Sequence, residues 1–183
     1  MSKNITFLAA IIFAMLVLTS SAFAISIGIQ PRSLNPGTFA PGQWSGSFPI
    51  NPNQYGEQGL VVAAASNMGV PWYFKMRITQ PLTNTTYPNK TIANSNFHWW
   101  GWTVPSESAG NISNFNNGID SNGQAYNYVD TTVRTIYIAA GRDMGVPGQF
   151  PAITKVHFQY GISVPDNARV GSYSTMLEFT VTE

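Results

Sequence analysis

Six consecutive residues, Phe97-His98-Trp99-Trp100-Gly101-Trp102, concentrate more aromatic surface than any other stretch of the chain. Indole rings left in water stack on sugar rings or anchor a protein partner. If the segment is extended, His98, Trp100, Trp102 and Val104 share one face, and Phe97 and Trp99 share the other. Large aromatics on both faces overfill one half of a core, so one set is expected to face solvent. Trp99, Trp100 and Trp102 are therefore the candidate binding platform. The competing reading is a central strand buried on both faces, since tryptophan is commonly largely buried.

Other reactive groups are sparse. The two histidines, His98 and His157, sit in β-rich stretches, among aromatics or on a face expected to be wet, and no H-x-H or H-E-x-x-H spacing exists. The eight Asp and Glu residues are scattered; only the fold could bring a pair such as Glu107 and Asp120 together for acid–base work. There is no cysteine, which excludes disulfides, thiolate nucleophiles and Cys-based metal sites. Neither G-x-S-x-G nor a phosphate loop is found. Asn116-Asn117-Gly118-Ile119-Asp120-Ser121-Asn122-Gly123 has oxygen ligands at calcium-loop density. It lacks a terminal bidentate Glu, and two Asn-Gly turns inside a long loop explain it better. Asn84-Thr85-Thr86, Asn89-Lys90-Thr91 and Asn111-Ile112-Ser113 match the glycosylation sequon, as an Asn-, Ser- and Thr-rich chain does by chance. The expectation is a protein without catalytic residues, cofactor or resident metal: not an enzyme.

The elements that must carry these residues are strands. Trp72, Phe74, Met76 and Ile78 alternate with Tyr73, Lys75, Arg77 and Thr79. Val156, Phe158, Tyr160, Ile162 and Val164 alternate with Lys155, His157, Gln159 and Ser163. Tyr173, Thr175, Leu177, Phe179 and Val181 alternate with Ser174, Glu178, Thr180 and Thr182. A period of two marks strands with one face buried and the other wet. Shorter candidates are Ile25 to Gln30, Gln43 to Ile50, Phe97 to Val104 and Thr132 to Ala139. Leu60 to Ser66 is apolar on both faces, as a central strand is. Pro-Gly, Asn-Pro and Asn-Gly pairs punctuate them, and Pro105 to about Gln124 is the longest irregular stretch. The predicted fold is an all-β antiparallel β-sandwich, immunoglobulin-like or jelly-roll, of seven to nine strands.

The chain starts differently. Lys3, the apolar run Phe7 to Leu18 and Ala22-Phe23-Ala24 have the order of a cleaved secretory signal peptide, with the run too short to span a bilayer. This predicts a signal peptide over 1–24 and a single domain over 25–183, secreted to the extracellular space, cell surface or periplasm, without a membrane span in the mature chain. Losing Lys3 leaves the basic and acidic residues balanced at eight each. Such a chain has no electrostatic reach toward nucleic acid. With 9% charged residues, it favours self-association over repulsion. The new end, Ile25-Ser26-Ile27-Gly28-Ile29-Gln30, reads as the protein's own first strand. A sharper reading makes Ile25, Ile27 and Ile29 a donor strand that completes a neighbour's sheet.

Three segments carry a resemblance. Pro31-Arg32-Ser33-Leu34 followed by Pro36-Gly37-Thr38-Phe39-Ala40-Pro41-Gly42 is similar to the opening of many bacterial exported immunoglobulin-like domains. Asn67-Met68-Gly69-Val70-Pro71-Trp72 resembles a hairpin of the same domains. Val164-Pro165, Ala168, Gly171, Tyr173 and then Leu177, Phe179 and Thr180 resemble the last hairpin of WxL-type surface proteins and pilin- or spore-coat-like subunits. The resemblance implies a non-enzymatic envelope or fibre subunit that partners itself or other envelope proteins. The alternative from the aromatic cluster is a carbohydrate-binding module whose partners are glycans.

Overall fold

The computed structural model describes residues 25–30, 38–46, 59–113, 118–119 and 125–183. The expected signal peptide, most of the candidate calcium loop including Asp120, and Ser47 to Ile50 of one expected strand lie outside them. Eleven strands are described: β1 (Ile25–Gln30), β2 (Leu60–Ser66), β3 (Tyr73–Asn84), β4 (Thr91–Ile92), β5 (Phe97–Thr103), β6 (Asn111–Ile112), β7 (Gly118–Ile119), β8 (Ala125–Tyr128), β9 (Arg134–Ile138), β10 (Ala152–Ile162) and β11 (Tyr173–Thr182). Eight of them have four residues or more, which matches the expected number; β4, β6 and β7 are two-residue additions. Two of these short strands, β6 and β7, fall within the stretch expected to be irregular. No helix among the described residues is long and apolar enough to cross a membrane.

The strands form a β-sandwich. One sheet has the order β1-β2-β10-β5-β8-β7, and the other runs β11-β3-β9-β6 with β4 added to β3; every pairing is antiparallel. The alternating apolar positions meet between the sheets. Val62, Val156, Phe158, Tyr160, Phe97 and Trp99 come from one layer, and Phe74, Met76, Ile78 and Ile136 from the other, all buried in a single cluster. Phe158 and Phe179 face each other across the gap with ring centroids 6.0 Å apart, and the Tyr160 hydroxyl donates to the Met76 sulfur at 3.7 Å. Each such ring contributes roughly 1.5–3 kcal/mol, which suits a fold without disulfides.

Leu60 to Ser66 takes the interior place its two apolar faces predict, between β1 and β10. Residues 72–79 prove to be only the start of a longer strand, because β3 continues through Pro81 to Asn84. Proline has no N–H for the ladder. The register slips opposite it, between Ser174 and Leu177 on β11, and the Thr175 hydroxyl donates to the Gln80 carbonyl at 2.5 Å. The two segments expected as hairpins are something else. Asn67 to Trp72 leads from β2 in one sheet to β3 in the other, and Ser163 to Ser172 leads from β10 to β11 across the same gap. Both are crossings between layers.

One end of the sandwich is closed by a buried carboxylate. Asp143 lies in a short 3-10 turn, Gly141–Met144, and is 1% exposed. Its oxygens accept the Ala109 N–H at 2.9 Å, the Gly110 N–H at 2.8 Å and the Tyr137 hydroxyl. Its backbone carbonyl accepts the Trp72 indole N–H at 2.8 Å. Burial, then the bond to Asp143, push the Tyr137 phenol above its ordinary pKa, so it stays protonated and donates. Gly145, at φ +69°, lets the turn close on β2: a Cβ there would stand 2.0 Å from the Ser66 carbonyl oxygen. Replacing Asp143 with Ala strands two amides and a phenol in the interior, so the expected cost is about 3 kcal/mol or more. Chemical denaturation measures it; a midpoint equal to the parent's would refute this closure.

Candidate functional site

Antiparallel register builds the aromatic face. β5 pairs with β10 so that His98 opposes Gly161, Trp100 opposes Gln159 and Trp102 opposes His157. All six point away from the core, because Phe97 and Trp99 on β5 and Phe158 and Tyr160 on β10 point into it. Trp99 is fully buried and donates its indole N–H to the Tyr128 carbonyl at 3.1 Å. That corrects the expected platform: Trp99 is a core residue, packed edge-on to Phe158. Trp100 and Trp102 stay half-exposed on the outer face.

Each outer position is covered differently. Trp102 stacks on His157, with centroids 5.3 Å apart and planes 19° apart. Trp100 donates to the Gln159 side-chain carbonyl at 3.1 Å. Opposite His98 the glycine leaves room, and Trp44 fills it from the loop before β2. Its ring occupies the space a Cβ on Gly161 would take, 2.1 Å away, and lies 5.3 Å from the His98 ring. The loop holding Trp44 is tied to the end of β10 by Ser45 N–H to Ile162 O, and just beyond it by Gly42 N–H to Val164 O, both 2.9 Å. Trp44 is itself 48% exposed, so the face presents three indoles, from Trp44, Trp100 and Trp102.

This cover overturns the expected wet position of His157, which is 4% exposed, and His98 is buried as well. Trp102 lies over one side of the His157 ring, and Glu107 meets its edge, with Nε2 to Oε2 at 2.8 Å. The other Glu107 oxygen lies 3.5 Å from the Lys155 ammonium. Glu107 thus joins a histidine and a lysine of β10; its suggested companion Asp120 is outside the described residues. Among the described residues no three His, Asp or Glu side chains converge as a metal site would require. Of the three chance sequons, the first has a buried asparagine: Asn84 is fully buried, and its carbonyl oxygen accepts the Thr86 and Tyr87 N–H groups at 3.0 Å. Asn89 and Asn111 are exposed.

The candidate donor strand lies at the sheet edge. β1 pairs along its full length with β2 of the same chain, from Ile25 opposite Ser66 to Gln30 opposite Val61. Ile25 and Ile29 pack against the core, and Ile27 is 39% exposed. No family model matches the chain, and neither a curated protein nor a solved structure matches it.

The arrangement can stack a flat ring or bury against a partner. Sequence reasoning overlooked Trp44 and Gly161 because the signal, a glycine opposite a histidine, exists only once two distant strands are in register. Gly161→Ala is expected to push the Trp44 ring into solvent, red-shift the tryptophan emission and change stability by less than about 1 kcal/mol, since a loop side chain yields before backbone does. An unshifted spectrum would contradict the contact.

Proposed function

We propose that this protein is a secreted, non-enzymatic structural subunit of the cell envelope or of an extracellular fibre, acting by contact with copies of itself or other envelope proteins. The observation that carries it is the edge strand β1. It lies at the end of its sheet, with six residues paired on one side against β2. A strand with one side unpaired among the described residues offers backbone donors and acceptors to another chain. β11 ends the other sheet in the same way. In the donated form, the Ile25–Gln30 strand of one copy takes the place beside β2 of the next.

A second reading has support from the half-exposed indoles. Trp44, Trp100 and Trp102 on one sheet face offer a stacking surface for sugar rings, as a carbohydrate-binding module does. Quenching of tryptophan emission by neutral glycans would favour it.

Size exclusion and negative-stain microscopy of the mature chain test the first reading. Polymers are expected, and deletion of residues 25–30 is expected to leave a folded monomer that binds a peptide of that sequence. A mature chain that stays monomeric at every concentration would exclude the subunit role. An unfolded deletion variant would exclude donation.

A further inference from the structure

A groove of about 460 Å³ lies between the turn joining β3 to β4 and the crossing from β10 to β11. That volume is in the range of clefts that hold small molecules, about 300–1,000 Å³. Its lining is mainly polar and includes Asn89, Lys90, Asn167, Arg169 and Tyr173. We propose that this groove binds an acidic saccharide, with Lys90 and Arg169 meeting the sugar carboxylate and the Asn89 and Asn167 amides meeting ring hydroxyls.

The two cations stand out by where they lie: Lys75 and Arg142 also lack a carboxylate partner among the described residues, but Lys75 sits over the Tyr73 ring and only Lys90 and Arg169 share a groove. Arg77 is paired with Glu178, Arg134 with Asp130 and Lys155 with Glu107, and Arg142 donates to the Pro105 carbonyl. Lys90 and Arg169 have no carboxylate in ion-pair range among the described residues, yet they line one groove. Asp166, the acid in the same crossing, carries its carboxylate against Gly42 and does not line the groove.

The groove is also held in shape before any ligand arrives. Asn84 accepts the Thr86 and Tyr87 N–H groups and donates its own N–H to the Lys90 carbonyl at 2.8 Å. Lys90 N–H returns to Tyr87 O at 2.8 Å, and Thr85 N–H ties the turn to Ser172 of the crossing at 2.9 Å. The Tyr173 hydroxyl donates to the Arg169 carbonyl at 2.8 Å. The Arg169 guanidinium lies 3.6 Å over the centre of the Tyr87 ring. A guanidinium stacked this way has one flat side occupied and its in-plane N–H fork open, the geometry that meets a planar carboxylate through two parallel hydrogen bonds. Side-chain amides donate and accept, as sugar hydroxyls require. The half-buried Tyr173 ring adds an apolar wall.

Titration calorimetry on the purified protein tests this with an oligogalacturonate, a neutral galactose oligomer, a sugar phosphate and a poly-glutamate peptide. The oligogalacturonate is expected to bind, the neutral oligomer about tenfold or more weakly. Salt near 1 M, where charges are screened beyond about 3 Å, is expected to abolish the difference. Arg169→Ala and Lys90→Ala are each expected to lose about tenfold in affinity with an unchanged melting curve, and Arg169→Lys to recover only part. Lys90 is exposed and its side chain makes no hydrogen bond or ion pair among the described residues, so its variant keeps the test valid if Arg169→Ala disturbs the crossing. Equal binding of charged and neutral sugars, preference for the phosphate or the peptide, no binding at all, or full affinity in both alanine variants would each overturn the proposal. None of these outcomes bears on assembly through β1, which lies outside this groove.

Discussion

Three hydrogen-bond donors from two separate parts of the chain end on the Asp143 carboxylate, and the rest of that end of the sandwich is arranged around them. Ala109 and Gly110 follow β5, Tyr137 belongs to β9, and the Asp143 backbone holds the indole of Trp72 at the entrance to β3. A carboxyl group in an apolar interior is tolerated only when its oxygens are hydrogen-bonded. Here the satisfaction is supplied by the connection after β5 and by one residue of β9. A two-layer fold without disulfides needs some such tie, because apolar packing between sheets is non-directional. The carboxylate gives the crossing loops a direction, and Gly145 and Gly110 give them the room, since a Cβ at either would collide with backbone.

The aromatic face follows a different logic. On the inner side of β5 and β10, burial is driven by the opposing sheet. On the outer side the described residues form no second layer, and the protein covers its own strands with side chains: Trp102 over His157, Trp44 over Gly161 and His98. The result is a sheet whose solvent side is half-dry, with two buried histidines under indoles. Such a surface is at once a stabilising cover and the place where a flat ligand or a neighbouring subunit would find apolar area.

Alternation in the sequence made the core legible. The apolar residues that period two assigns to the core are buried on β3 and on β10, although β10 also buries His157 and Gly161 between them, and the doubly apolar run of β2 correctly announced an interior strand. The parity of the tryptophan cluster was legible too, but not which side would be dry, because that depends on what covers each face. His157 was assigned to water for the same reason. Parity says that it points away from the core; only the position of Trp102 in the neighbouring strand, 55 residues earlier in number, says that it is covered. Asp143 left almost no trace, since a lone acid between two glycines looks like an ordinary surface turn. Its partners become visible only when the crossings are known. Lys90 and Arg169 likewise meet through topology and not through spacing. What the sequence conveyed was local geometry, and what it withheld was every relation set by the order of strands in space.

That order has a temporal consequence. β10 fills the middle of its sheet, between β2 and β5, although it is among the last strands of the chain to leave the ribosome. β11, later still, supplies the long border of the opposite layer. Until they emerge, β2 and β5 have no common neighbour and the two layers have little to close upon. Non-local pairings of this kind make folding slow, because chain closure comes before its reward. The larger part of the sheet with β2 and β5 therefore closes only after the segment carrying β10 has been made.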